Sequence, residues 1–583
     1  MLLRTLAVVV CCLTAVAADG QGDPGADFRA LVAEDWSNRL AEDPLLAGDL
    51  GDREAASRLP RVGLADHRRR HEQRLSIMER LKAIDAGALG REDRVNYEIF
   101  RRLKRDEARE YEFRAHLMPI TNRSGFHVSF PQLPQRTRFN DGADYESYIA
   151  RLEAFGDYAD DNIELLRAGV ETGVVLPAIV LVGYEGAIDP HIVDDPEKSL
   201  LFGPFTEFPD GIDADARRRL TAAGRQAIRE SVVPGYRRLS SFMAEEYVPA
   251  ARVDIAARAL PDGKAFYAHR VRRFTTLDVT PQEVHDKGLS EVARIRAEML
   301  EIIERVGFEG GFSKFVDFLR SDEQFYLDTP EELMKEVSWV MKRMDGALPR
   351  LFKTLPRMPY GLRQVPEFIA PKTTTAYYER PAGDGTRAGF YFVNTYNLES
   401  RPLYEVETLS LHEAVPGHHL QIALQQELEG LPEFRRYGGF TVFVEGWALY
   451  AERLGREVGF YQDPYSEFGH LTYEMWRACR LVVDTGLHDL GWSRQRAIDF
   501  MKENTALSEH NIVTEIDRYI AWPGQALAYK TGELKIRELR ARAEEALGPA
   551  FDIREFHDVV LGSGSVPLDV LETNVDAYIA GVN

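Results

Sequence analysis

The stretch HEAVPGHH, residues 412–419, holds the side chains of this sequence best suited to chemistry. In the pattern H-E-x-x-H, two histidines one helical turn apart hold a zinc ion, and the glutamate between them acts on water. Here Pro416 stands where the second histidine would fall, and the next histidines are His418 and His419. The lead-in LYEVETLSL, residues 403–411, has helical periodicity, so His412 and Glu413 belong to a helix. At about 100° per residue, His418 would face away from His412, and His419 would share its face about 10 Å further on. Zinc–nitrogen bonds are about 2.0–2.1 Å, so neither histidine can join His412 on one ion in an undistorted helix. Pro416 removes a backbone donor and Gly417 tolerates unusual backbone angles. Together they predict a bulge that absorbs two residues and returns His418 to the place an i+4 histidine normally takes. Glu413 then lies beside the first ligand, as general base and afterwards acid. His419 is left to donate to a ligand from behind or to contact a substrate.

A third ligand is needed, and Glu445 follows His418 by 27 residues within TVFVEGWALYAERLG. That segment reads as a helix with Glu445, Leu449 and Glu452 on one stripe. Phe443, Val444 and Trp447 give Glu445 an apolar setting, and a buried carboxylate needs a strong partner. A metal cation suits; an arginine in a buried ion pair is the structural alternative. Glu452, two turns on, is placed to orient a metal-binding histidine. The expected centre is therefore Zn2+ held by His412, His418 and Glu445.

Three segments, HEAVPGHHLQ, EGWALYAE and DRYIAWPGQALAYKTGELKI, together resemble the bacterial family of unknown function catalogued as domain 885, over most of the chain. That family is placed among the zincin-like metallopeptidases, and the arrangement is similar to the helical gluzincins: angiotensin-converting enzyme, the thimet oligopeptidases and the thermostable carboxypeptidases. The resemblance implies a mainly α-helical zincin-like fold with a deep channel between two helical halves. In angiotensin-converting enzyme a histidine shortly before an Arg-Tyr pair, and that tyrosine, bind the substrate carbonyl. His510 with Arg518-Tyr519 matches this at a spacing one residue shorter, so Tyr519 and His510 are expected to steady the developing oxyanion. Arg518 or Lys530 is expected to bind a peptide's terminal carboxylate, and Tyr529 to line the same substrate site. The departure from the pattern is the Pro-Gly insertion, which leaves open whether His418 or His419 ligates.

The elements that must position these residues are mostly helices. Apolar residues recur every three or four over 26–115, 143–170, 214–350 and from 405 to the end. Residues 116–140 and 176–213 are rich in Pro, Gly, Asn and Asp and predict loops. TTTAYYE and AGFYFVN, separated by GDGTR, predict a hairpin in one small antiparallel sheet just upstream of His412. AGFYFVN, residues 388–394, is a candidate edge strand for pairing with an extended peptide. No composition shift marks a domain boundary, so residues 18–583 read as one helical unit.

A net charge of −21 argues against a nucleic-acid partner and against an anionic membrane surface. The first 20 residues have one positive charge, an apolar run from Leu6 to Leu13, and Ala15-Val16-Ala17 as a small-x-small cleavage pattern. They predict a leader cut after Ala17 and a secreted or periplasmic protein. Cys11 and Cys12 raise a lipoprotein alternative, although Val10 stands where a small residue would be expected. Cleavage leaves Cys479 as the sole thiol and permits no intrachain disulfide. The expected function is zinc-dependent hydrolysis of short peptides. A zinc hydrolase of another amide or ester, and a non-catalytic peptide-binding protein, are the alternatives.

Overall fold

Apolar residues at helical spacing dominate the chain, and helices dominate the computed structural model, which describes residues 23–121, 124–367 and 369–581. The leader expected over residues 1–17 lies outside the described residues. Helix starts follow local capping chemistry. The helix α1 (Gly142–Thr172) begins where the Asp141 side chain accepts the N–H groups of Ala143 and Asp144. In α2 (Pro281–Arg305) and α3 (Pro330–Leu351), Thr280 with Glu283 and Thr329 with Glu332 form reciprocal capping boxes, with proline as first helical residue. The stretches expected as loops, 116–140 and 176–213, are chains of short helical turns instead, among them Phe126–Ser129, Leu133–Arg136 and Leu200–Phe205.

Three strands follow α3: β1 (Tyr360–Gln364), β2 (Ala376–Glu379) and β3 (Gly389–Val393). β2 and β3 are antiparallel, with Tyr378 opposite Tyr391, as the hairpin pattern predicts. β1 corrects the rest of that expectation. It pairs parallel to β3, Tyr360 opposite Gly389, so the sheet is mixed and its order is β1-β3-β2. AGFYFVN is therefore the central strand, with both edges taken, and cannot accept a peptide. YGLRQ, short and half polar, gives no alternation from which a strand could be read.

The site is assembled from the helices that follow: α4 (Leu403–Glu413), α5 (His418–Glu427), α6 (Thr441–Val458), α7 (Pro464–His488), α8 (Glu509–Ala521) and α9 (Ala528–Leu547). Every residue of α7 from Phe468 to His488 is buried, so α7 is the central strut, packed on α2 and α4. One continuous apolar core runs from Phe28 to Tyr578. Among the described residues no helix is long and apolar enough to cross a membrane.

Candidate metal centre

The turn between α4 and α5 decides which histidine meets His412. The helix does not bulge; it stops at Glu413 and restarts at His418, with a cis peptide between Val415 and Pro416. Gly417 lies so close to the end of α4 that a Cβ there would come within 1.9 Å of the His412 carbonyl oxygen and 2.5 Å of the Leu411 carbonyl oxygen. Only glycine fits that approach. The indole of Trp447, on α6, donates to the Pro416 carbonyl at 2.9 Å and ties the turn to the helix that carries Glu445.

This turn brings His412, His418 and Glu445 together, one donor atom of each within 4.8 Å of the others. Glu445 Oε2 is 3.7 Å from His412 Nε2 and 3.5 Å from His418 Nε2. Tetrahedral zinc with bonds of about 2.0–2.1 Å separates its ligands by about 3.3–3.5 Å, so the donor set fits the ion in type and in spacing. Neither an arginine nor a lysine lies within 4.0 Å of Glu445 among the described residues, which removes the ion-pair alternative. The two imidazole planes are near perpendicular, at 84°.

Behind this cluster, His412 Nδ1 donates to Glu452 Oε1 at 2.7 Å, which turns Nε2 toward Glu445 as the nitrogen that could bind a cation in place of its proton. Glu452 is fully buried, and Arg477 approaches the same oxygen at 3.6 Å. Burial alone would lower the pKa of His412, but hydrogen bonds to Glu445 and Glu452 push it up to about 9. Burial likewise opposes ionisation of Glu445, yet the two imidazoles hold it well below the usual carboxylate range. Three acceptor carboxylates around one imidazole call for positive charge, as protons or as a metal.

The Glu413 residue is nine-tenths buried, and its side chain has no hydrogen bond or ion pair among the described residues. It lies within reach of His412 and of Tyr391 on β3, whose pKa is raised first by burial and then by this carboxylate's charge. His419 turns the other way. Its Nδ1 accepts from Tyr378 Oη at 2.8 Å and its Nε2 donates to the Met358 carbonyl at 3.0 Å, so neither nitrogen is left for a metal or substrate. Tyr378 also lies over His418, ring centres 6.5 Å apart, a neighbour the sequence did not single out.

The remaining site candidates separate. Tyr519 is buried, its hydroxyl accepting from Trp476 Nε1 at 3.0 Å and Arg480 Nε at 2.9 Å, and it hydrogen-bonds to none of the three cluster residues. Tyr529 is partly exposed, and the charge of Glu445 adds to burial in raising its pKa. Arg480 lies between the two tyrosines, its guanidinium 4.2 Å from the Tyr529 ring centre. Lys530 is fully buried, within 2.7 Å of Glu474, 2.9 Å of Glu533 and 3.3 Å of Glu291, and offers nothing to a terminal carboxylate. Arg518 is spent on Glu515 and on Gln525 Oε1. His510 is exposed in the first turn of α8 and lines a neighbouring cleft rather than the cluster.

Fold and cluster together define a mainly α-helical protein in which two histidines and one glutamate are grouped closely enough that they could hold a metal ion. The chain belongs to the bacterial family of unknown function DUF885, whose profile matches residues 44–575. Among solved structures it is similar to a candidate lipoprotein from Colwellia psychrerythraea, at 29% identity and a TM-score of 0.91, covering 96% of this chain and 100% of that one. A candidate lipoprotein of unknown function from Shewanella oneidensis shares the fold at 17% identity and a TM-score of 0.64, over 94% and 99% of the two chains. No curated protein matches the chain.

Proposed function

We propose that this protein is a zinc-dependent hydrolase of short peptides, of gluzincin type. The observation that carries the reading is the convergence of His412, His418 and Glu445 beside an otherwise unpartnered buried carboxylate, Glu413. Zinc held there would supply a Lewis acid and make water a nucleophile near neutral pH. Glu413 takes the proton of the attacking water and returns it to the leaving nitrogen. Glu452 holds the His412 ring in place through its Nδ1–H. Tyr529, rather than Tyr519, is the hydroxyl that donates to the developing oxyanion, because its side chain is reachable and senses Glu445.

The test is a zinc measurement on protein purified without chelator, joined to turnover of a mixed-peptide library. About one zinc per chain, lost in His412→Ala, is expected. Glu413→Gln should keep the metal and lose turnover by about a thousandfold or more, as loss of a general base in such a site does. A metal-free wild type, or full turnover in Glu413→Gln, would remove the reading; hydrolysis of small amides or esters alone would change the substrate class.

Export across the inner membrane belongs to the same proposal. The description of the Colwellia protein favours lipid attachment through Cys11 or Cys12 more than the sequence pattern alone did. Mass spectrometry of the mature N-terminus separates a lipidated cysteine from cleavage after Ala17.

A further inference from the structure

A cleft of about 570 Å³ opens beside α4 and α8, and its wall contains Arg320 and Arg401. In a chain with 93 acidic and 72 basic residues, an arginine without an acidic partner is unexpected. Yet no carboxylate among the described residues lies within 4.0 Å of either guanidinium. Arg320 gives Nε and Nη2 to the carbonyls of Thr505, Ala506 and Leu507. Arg401 gives Nε to the Asn394 carbonyl and Nη1 to Ser400. Nη1 of Arg320 and Nη2 of Arg401 keep no protein acceptor, and neither is sealed from solvent. These backbone bonds hold both guanidiniums in fixed orientation with a donor pair to spare.

Both groups line this one cleft, whose wall also carries the carboxylates of Glu399, Glu405, Glu509 and Asp517. Burial raises the pKa of Glu405, in the same wall, to about 7, while Arg401 and Arg320 both act against that rise from close by. A narrow extension of about 20 Å³ shares Thr375, Arg401 and Glu405 with the cleft and reaches Tyr391, the tyrosine that senses Glu413. Glu405 and His412 are seven residues apart on α4, which puts them within about 20° of one face and about 10 Å apart along the axis. That span is roughly three residues of extended peptide.

Resting on the peptidase reading, we propose that Arg320 and Arg401 form a carboxylate subsite, so that preferred substrates are peptides bearing a negative charge about three residues from the cleaved bond. The carboxylate is an acidic side chain or the chain terminus; two fixed guanidinium donors suit either. A chain of net charge −21 repels anions at long range, so a local cationic pair is what such a substrate would require.

The test uses the full chain carrying Glu413→Gln, titrated calorimetrically with N-acetylated peptides. One is pentaalanine amide, one is pentaalanine with a free terminal carboxylate, and a third set is the amide with one glutamate moved along it. Either the free acid or a glutamate at one position should bind at least tenfold tighter than the neutral peptide, and which arm gains identifies the source. Arg401→Gln and Arg320→Gln should each cut that advantage below threefold. The ligand-side comparison needs no arginine variant, so a variant that fails to fold leaves the test standing. Equal affinities, no binding of any peptide, or an advantage untouched by both arginine changes would overturn the subsite. Zinc-dependent turnover with no carboxylate preference sinks the subsite alone, whereas a carboxylate preference in a metal-free, inactive protein sinks the peptidase reading alone.

Discussion

His412 presents one ring nitrogen to Glu452 and the other to Glu445, and two predictions follow from being held on both sides. Glu452→Gln keeps an acceptor for the Nδ1–H but removes its charge, and metal affinity should fall about 10- to 100-fold, read by competition with a chromogenic chelator. Unchanged affinity would mean that Glu452 only fills space. The second prediction concerns chelated protein. The folded pKa of His412, about 9, lies above its ordinary value of 6.5, so between those pH values the folded state binds more protons than the unfolded one. The contribution of His412 to the stability of the metal-free form is therefore fully present below pH 6.5 and is lost as pH rises to about 9. The melting temperature of EDTA-treated protein should drop across that window, and that of zinc-loaded protein should not. At this scale the sequence was partly legible. His412, Glu413 and Glu445 follow from the H-E pair and from a helical stripe. An expected bulge favours His418 over His419; the helix break that actually brings it in was not legible, because it depends on backbone angles from Ala414 to Gly417 and on the distant Trp447. Lys530 looked free because two of its partners, Glu291 and Glu474, lie far away in sequence on other helices, whereas the Glu515 that holds Arg518 is only three residues earlier on α8 and was overlooked.

Tyr529 reaches the neighbourhood of Glu445 because α6 and α9 cross at two glycines. A Cβ on Gly446 would lie 2.5 Å from the Gly532 Cα, and one on Gly532 would lie 2.0 Å from the Val442 carbonyl oxygen. Gly446 follows Glu445 directly, and Gly532 is three residues after Tyr529, so the crossing sets the separation between the helix of Glu445 and the helix of Tyr529. Gly532→Ala must push the helices apart, at about 1–3 kcal/mol by the usual cost of overpacking. Thermal unfolding should show that loss, and peptide turnover should fall further than zinc content does. Turnover that tracks zinc content would mean Tyr529 has no part in the reaction. The helices were legible as elements from their periodicity, and the β2–β3 hairpin from GDGTR between aromatic runs. The crossing was not, since a glycine within a helical pattern reads locally only as a weak spot. β1 escaped for a similar reason: what makes it a strand is the backbone edge of β3, not its own pattern.

Across the whole molecule, charge is carried inside as well as outside. The central helix α7 buries Glu474, Arg477, Arg480 and Asp484, and Glu474 joins a network with Glu291 and Arg294 of α2 and with Lys530, Glu533 and Arg537 of α9. Lys530 Nζ is the fully buried hub, bonded to a carboxylate from each of the three helices. Burial raises the pKa of Glu474, but Lys530 and Arg294 together hold it well below the usual range. A carboxylate lowered in this way contributes stability above its ordinary pKa of 4.5 and loses it as pH falls. Lys530→Met preserves volume and apolar contact while leaving three carboxylates short of a cation, which should cost about 3–5 kcal/mol at neutral pH. The deficit should shrink as pH is lowered toward 5, because the stranded carboxylates, their pKa values now raised, take up protons that the wild-type network excludes. Chemical denaturation of both proteins at pH 5 and pH 7 measures it. A deficit equal at the two pH values would assign the lysine a packing role and leave the network's charge without effect on how α2, α7 and α9 are held together.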